Sequence, residues 1–320
     1  MHAPRFIQLH QIDSVQLAGE AISGLRAQPA SLSPKFFYDA LGSRLFDAIT
    51  ELPEYYPTRT EAAIFAADSA AIAGQVRRCL APGFALIDLG AGNCAKAARL
   101  FDSLQPGSYL PVDISVDFLR AAVLGLQRQY AHLQMVGIGL DFSARLVLPD
   151  GLNEQPALVF YPGSSIGNFD PVAALRLLRE AHALARGGAL LIGVDLVKPK
   201  ALLQAAYDDS LGVTAAFNLN LLSHLNRLVG CDFRPRDWAH VAFFNEADSR
   251  VEMHLQARQA LTVRWPGGER RFEAGERMHT ENSYKWTPLA FETLLRQAGF
   301  RDVQCWQDGQ GWFGVFLAQG

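Results

Sequence analysis

Between residues 84 and 196 the chain alternates short, unbroken apolar runs with longer stretches whose apolar residues recur at helical spacing. Five runs predict buried strands, at 84–89, 109–114, 135–140, 157–161 and 189–196. The Ala/Leu-rich stretch after Gly92, residues 115–130 and residues 171–185 predict the helices between them, the last one stopped by Gly187-Gly188. Strands interleaved with helices build a parallel sheet covered on both faces. After residue 196 the pattern breaks off. Residues 199–229 read as mostly helical, while 241–244, 251–263 and 271–280 alternate apolar with polar, as half-exposed antiparallel strands do, with a hairpin turn at Gly267-Gly268. From Trp286 the first pattern resumes, with a helix near 288–298 and strands at 302–306 and 312–318. The first sixty residues read as helices with aromatic interruptions. Asp13-Ser14 caps one through about Arg26, Ser33-Pro34 another through about Leu52, and Thr58 opens a long helix to about Leu80. The expected architecture is α/β, a Rossmann-like doubly wound domain (60–196 and 286–320) into which an α+β domain is inserted (197–285, packed with 1–59).

Composition narrows what such a fold can do. The 320 residues carry 29 Lys+Arg against 32 Asp+Glu, a net charge of -3, which removes the diffuse attraction for phosphate backbones that a nucleic-acid binder uses. The four cysteines, Cys79, Cys94, Cys231 and Cys305, form no CxxC pair, and the eight histidines show no HxxxH or HExxH spacing; no metal site is expected. There is no basic-then-apolar leader and no apolar run of about 20 residues, so a soluble, cytoplasmic chain without membrane or nucleic-acid partners is expected, acting as a monomer on a small molecule.

The chemistry begins at Leu86-Ile87-Asp88-Leu89-Gly90-Ala91-Gly92, a Gly-rich turn directly after the first strand. Glycines allow a sharp turn and close approach of backbone to a ligand. Asp113 ends the next strand 23 residues after Gly90, about the separation at which a carboxylate meets a ribose diol. These features point to a nucleoside-containing cofactor. Gly90-Ala91-Gly92-Asn93-Cys94-Ala95 also fits the looser dinucleotide pattern, which keeps a nicotinamide oxidoreductase open. Asp88 two residues before the first glycine, the acid and aromatic of Asp141-Phe142 after the third strand, and a final strand–Gly-rich loop–strand favour S-adenosylmethionine. Gly163-Ser164-Ser165-Ile166-Gly167 matches the nucleophile elbow of α/β-hydrolases, with Asp195 and His279 following in order; yet Asn168-Phe169-Asp170-Pro171 separates that serine from the next helix, where the elbow needs none.

Taken together, the chain resembles the histidine Nα-methyltransferases of ergothioneine biosynthesis, from about Phe37 to Phe316. The resemblance is carried by Phe37-Tyr38-Asp39 through Gly42-Ser43, by Leu52-Pro53-Glu54-Tyr55-Tyr56-Pro57-Thr58-Arg59, and by Pro111-Val112-Asp113-Ile114-Ser115. It continues through Gly163 to Asn168, Ala206-Tyr207-Asp208-Asp209, Gly212 to Asn218, Asn226-Arg227 and Thr280-Glu281-Asn282-Ser283. It implies a class I methyltransferase domain with an inserted substrate-recognition domain, S-adenosylmethionine as cofactor, and trimethylation of the α-amine of L-histidine to hercynine; an enzyme for another amino acid such as tryptophan is the alternative. It also implies roles. Tyr38, Gly90, Gly92, Lys96, Asp113, Asp141 and Phe142 match the donor site; Asn168 and Tyr207 the substrate carboxylate; Glu281 and Ser283 the imidazole, with Met253 lining its pocket. Tyr38, Tyr55 and Tyr56 are expected nearest the transferring group. Departures from the family pattern are Asp88 where Glu is common, Gly139-Leu140-Asp141 for a Gly-Asp step, Leu219 where Arg is frequent, and Tyr284-Lys285-Trp286 where smaller residues follow the serine.

Overall fold

Apolar runs with no polar alternation form strands buried on both faces. In the computed structural model β2 (Ala85–Leu89), β5 (Ala157–Tyr161) and β6 (Ala189–Asp195) are buried at every position. The structure describes residues 2–9, 14–114, 116–149, 151–152 and 154–320, with backbone alone at 116–118. Asp13 and Ser115, two expected helix starts, lie outside the described residues. The chain divides into two compact units. One holds Met1–Gln11, Arg59–Val197 and Trp286–Gly320, the other Ile12–Thr58 and Lys198–Lys285.

The first unit is built on an eight-stranded sheet. Beside β2, β5 and β6 run β3 (Ser108–Asp113) and β4 (Gln134–Gly139), all parallel, in the order β4-β3-β2-β5-β6. β13 (Phe313–Gln319) then enters antiparallel to β6 and carries β12 (Arg301–Gln307) antiparallel at the edge. The opposite edge is β1 (Arg5–Gln8), parallel to β4. The expectation of helices through the first sixty residues therefore fails at its start. Four residues with only the middle two partly buried are too short to display a strand period.

Alternation along each strand splits the core into two layers. Ile87, Val159 and Ile192 pack with α7 (Pro171–Ala185) and α10 (Pro288–Gln297), while Leu86, Phe160 and Leu191 pack with Ile64, Ile72 and Val76 of α3 (Tyr56–Cys79). α7 has both end signals its sequence advertises. The Asp170 carboxylate accepts the Ala173 N–H at 2.8 Å, Pro171 opens the first turn, and Arg186 and Gly187 take left-handed backbone at the end. The Ala/Leu stretch after Gly92 is not one helix but two single turns, α4 (Ala95–Ala98) and α5 (Phe101–Leu104). Helix α6 (Val116–Gln129) connects β3 to β4.

In the second unit α1 (Ser14–Arg26), a 3-10 turn at Pro34–Phe37, α2 (Ala40–Thr50), α8 (Lys200–Ala205) and α9 (Val213–Val229) accompany a three-stranded antiparallel sheet. Its strands β7 (Trp238–Asn245), β8 (Arg250–Ala257) and β11 (Arg277–Tyr284) lie in the order β11-β8-β7, and β9 (Leu261–Trp265) with β10 (Gly268–Phe272) makes a hairpin. Four expectations need correction. The run 251–263 is two strands separated by the exposed residues 258–260, and 271–280 is likewise broken by a turn at 273–276. The hairpin turn is Pro266-Gly267, one residue earlier than expected, because Gly268 already pairs with Trp265. The helix expected from Ser33 is interrupted at Asp39. That carboxylate accepts the Gly42 N–H at 2.7 Å and the Asn220 amide at 2.8 Å and pairs with Arg227, so α2 starts afresh. Asp39→Ala is expected to destabilise this unit by about 1–2 kcal/mol, the value of a lost N-cap, read as a lower urea midpoint. No helix of the described residues is long and apolar enough to cross a membrane.

Candidate active site

At the end of β2 the chain turns through Gly90 (φ 68°) and Gly92 (φ 52°), both in the left-handed region that favours glycine. The Gly90 and Ala91 amides donate to the Val112 carbonyl at 2.9 and 3.1 Å, which ties the turn to β3. Asp113, the last residue of β3, accepts the Gly92 N–H at 2.8 Å. A Cβ on Gly92 would meet nothing within 4 Å, and one on Gly90 only the Phe142 ring at 3.9 Å; the turn faces open space. Asp141 and Phe142 follow β4, the ring edge-on to Tyr161 at 5.8 Å. Carboxylates at Asp113 and Asp141, the Phe142 ring and the Lys96 ammonium around an open Gly-rich turn suit the hydroxyls, base and aminoacyl carboxylate of an adenosyl amino acid.

Asp88 has a different part. It is 1% exposed and accepts the Tyr109 hydroxyl at 2.7 Å. Burial, with the Asp113 charge adding to it, pushes its pKa up to about 7. It anchors the turn from below. Glu61, which the sequence does not single out, is 2% exposed. It receives the Lys96 ammonium at 2.7 Å and the Gly163 N–H at 2.7 Å. Gly163 (φ 80°) and Gly193 are held to glycine here: a Cβ on Gly163 would lie 2.9 Å from the Lys96 Nζ, and one on Gly193 would run into the Glu61 carboxylate. The serine-rich motif is a turn of this framework. Ser164 accepts the Asp195 N–H at 2.8 Å, and Ser165–Asn168 is a 3-10 turn rather than the helix a nucleophile elbow requires.

The second unit gathers another set. Strand period places Glu281 and Ser283 on one face of β11, and Lys285 follows just past its end. The Lys285 ammonium, 3% exposed, donates to Ser283 Oγ at 2.8 Å and to the Tyr207 hydroxyl at 3.1 Å, and the Tyr207 hydroxyl donates to Ser283 Oγ at 2.6 Å. Met253 is paired in register with Glu281 and is 2% exposed. Tyr207 is fixed from behind. Its carbonyl can only accept, so His240 Nε2 carries the proton in their 2.8 Å bond, and His240 Nδ1 accepts the Asn218 amide at 2.9 Å. Burial lowers the His240 pKa, which keeps that tautomer neutral.

Aromatic rings join edge-on from Tyr38 to Phe46 (5.8 Å), Phe46 to Tyr55 (6.2 Å) and Tyr55 to Tyr207 (6.5 Å). Tyr56 is 1% exposed and its hydroxyl accepts the Lys198 ammonium at 2.8 Å. Among the sequence-derived candidates, then, Gly90, Gly92, Lys96, Asp113, Asp141, Phe142 and Asn168 belong to the first unit, and Tyr38, Tyr55, Tyr56, Tyr207, Met253, Glu281 and Ser283 to the second.

Glu281 keeps part of its surface accessible, yet the protein around it desolvates its carboxyl and pushes the pKa up to about 7 against the opposing pull of Lys285. A carboxyl that holds its proton more tightly when folded than when unfolded makes stability fall as pH rises from the usual 4.5 to about 7, with no further change above. Glu281→Gln is therefore expected to gain stability relative to the parent chain at pH above 7 and to show no such gain near pH 5. Paired urea melts check this, and an equal difference at both pH values would contradict it.

A parallel sheet with an antiparallel strand inserted beside its end, a Gly-rich turn after β2, and acids at the ends of β3 and β4 define a class I S-adenosylmethionine-dependent methyltransferase. The family described as "Histidine-specific methyltransferase, SAM-dependent" matches residues 17–320, and the chain belongs to it. It is 41% identical over 310 residues, 94% of each chain, to the histidine N-alpha-methyltransferase of Mycobacterium tuberculosis (strain CDC 1551 / Oshkosh). It is 40% identical over 303 residues, 92% of each, to that of Mycolicibacterium smegmatis. With ergothioneine biosynthesis protein 1 of Schizosaccharomyces pombe it shares 30% over 283 residues, 85% of this chain and 36% of that one. Membership settles the cofactor as S-adenosylmethionine, and the nicotinamide and hydrolase readings fall away.

Proposed function

We propose that the chain moves methyl groups from S-adenosylmethionine to the α-amine of L-histidine, three in succession, to give hercynine on the route to ergothioneine. The observation that carries the substrate is the β11 face, where a carboxylate and a hydroxyl, Glu281 and Ser283, stand two residues apart beside Met253. An imidazole needs an acceptor for its N–H and a hydrogen-bonding partner for its other nitrogen, and this pair supplies both.

When bound, the cofactor supplies an electrophilic methyl on a sulfonium. Glu281 and Ser283 hold the imidazole, Tyr207 steadies Ser283 with its own hydroxyl proton, and the Asn168 amide serves the substrate carboxylate. Asp113 and Asp141 take the donor's ribose hydroxyls, Lys96 its carboxylate, and Gly90, Gly92 and Phe142 leave room for the adenosyl group. The Tyr38 and Tyr55 rings present faces to a nitrogen that ends as a quaternary ammonium, an attraction of about 0.5–2 kcal/mol. The amine loses its proton to solvent before each attack, so no dedicated base is needed. Most of the acceleration comes from orientation, which contributes up to about 7–11 kcal/mol. Time-resolved mass spectrometry of histidine with the donor tests this. Mono- and dimethyl species should rise and fall while the trimethyl product accumulates, with three S-adenosylhomocysteine released for each. A single methyl, or methylation on a ring nitrogen, would overturn it.

A further inference from the structure

Lysine is among the side chains least often fully buried, yet Lys285, just past the end of β11 and two residues from Ser283, is 3% exposed. Its ammonium has only donors to offer. One goes to Ser283 Oγ at 2.8 Å and one to the Tyr207 hydroxyl at 3.1 Å, while the Tyr207 hydroxyl itself donates to Ser283 Oγ at 2.6 Å. Ser283 Oγ thus accepts two hydrogen bonds, which occupies both lone pairs and leaves its own O–H as its sole remaining capacity. Tyr207 cannot swing away to relax this, because its backbone carbonyl is held by His240 and its ring packs on Tyr55.

We propose that Lys285 is a positioning residue that sets specificity: by filling the acceptor sites of Ser283 it makes that hydroxyl a donor only, beside Glu281 as an acceptor. The inference rests on the histidine reading above. A donor next to an acceptor selects a ring that offers one N–H and one bare nitrogen, the neutral imidazole. It disfavours a ring that offers an N–H alone, because the Ser283 proton would then be buried without a partner. Removing the ammonium frees Ser283 to rotate, and the distinction between these rings weakens.

The test uses Lys285→Met, Ser283→Ala and the double variant, with histidine and with β-(pyrrol-2-yl)alanine and β-(pyrrol-3-yl)alanine, which keep a ring N–H and lack the second nitrogen. Lys285→Met should raise the histidine KM about tenfold or more, the worth of a charge-assisted hydrogen bond, with a much smaller change in kcat. Its preference for histidine over the pyrrole analogues should fall to that of Ser283→Ala, and the double variant should be no worse than Ser283→Ala. S-adenosylhomocysteine affinity by calorimetry should stay within about twofold, which also reports a folded chain. Should Lys285→Met not fold, Lys285→Leu reads the same split. An unchanged histidine KM, a preference that survives loss of Lys285, or losses that multiply in the double variant would each overturn the assignment. A parent chain that methylates neither histidine nor the analogues would instead overturn the proposed function.

Discussion

Glu281→Ala should raise the KM for histidine by about ten- to a hundredfold and leave the affinity for S-adenosylhomocysteine unchanged. The expected loss has two parts. The imidazole N–H is left without an acceptor in a desolvated pocket, at about 1–3 kcal/mol, and the buried Lys285 ammonium loses the carboxylate that faces it. Glu281→Gln keeps an acceptor oxygen and should lose less. The two affinities separate because Gly90, Gly92, Asp113, Asp141 and Phe142, which the proposed function gives to the donor, belong to the first unit and Glu281 to the second. Steady-state kinetics with histidine and calorimetry with S-adenosylhomocysteine check this. Equal losses of both ligands would mean that Glu281 supports the fold and not the ring.

Lys96→Met should strike the opposite ligand. On the proposed function Lys96 meets the donor's carboxylate, and it is also the partner of the buried Glu61 carboxylate at 2.7 Å. Without it the donor's carboxylate loses that counter-charge on the proposed reading, and Glu61 keeps the Gly163 N–H as its remaining described bond. Because the Lys96 side chain is itself 39% exposed, water screens part of the pair, and the stability loss is expected at the low end for an uncompensated buried charge, about 1–3 kcal/mol. Donor affinity should fall by at least about tenfold. Thermal melts with and without S-adenosylhomocysteine measure both, since the upward shift the ligand confers should shrink along with the midpoint. A variant that melts lower yet keeps its full ligand-induced shift would confine Lys96 to a structural role.

Where the sequence can be read locally, it predicts well. β5 and α7 match their predicted limits because the unbroken apolar run, the Asp-Pro start and the Gly stop each lie at the element they delimit. The errors arise where the determinant is remote. Asp39 begins α2 with the help of Asn220, 181 positions away, so nothing beside Ser33 warned of the break. β1 is a strand only because β4 offers it an edge. The site shows the same division. Gly90, Gly92 and Asp113 carry their meaning in their spacing, but that spacing left two cofactors open until the family was established. Glu61 reads as one more acid on an Ala-rich helix until Gly163, 102 positions on, donates to it. Lys285 reads only as a departure from the family pattern after Ser283 until Tyr207, 78 positions earlier, meets its ammonium.

The central claim, that this chain methylates the α-amine of histidine, is tested most directly by mass spectrometry of the purified protein with S-adenosylmethionine and all twenty amino acids together. Histidine alone should gain methyl groups, up to three, with every other amino acid unlabelled. Methylation of tryptophan or another amino acid would leave the fold and cofactor in place and contradict the Glu281–Ser283 site, and no methylation at all would contradict the catalytic reading itself.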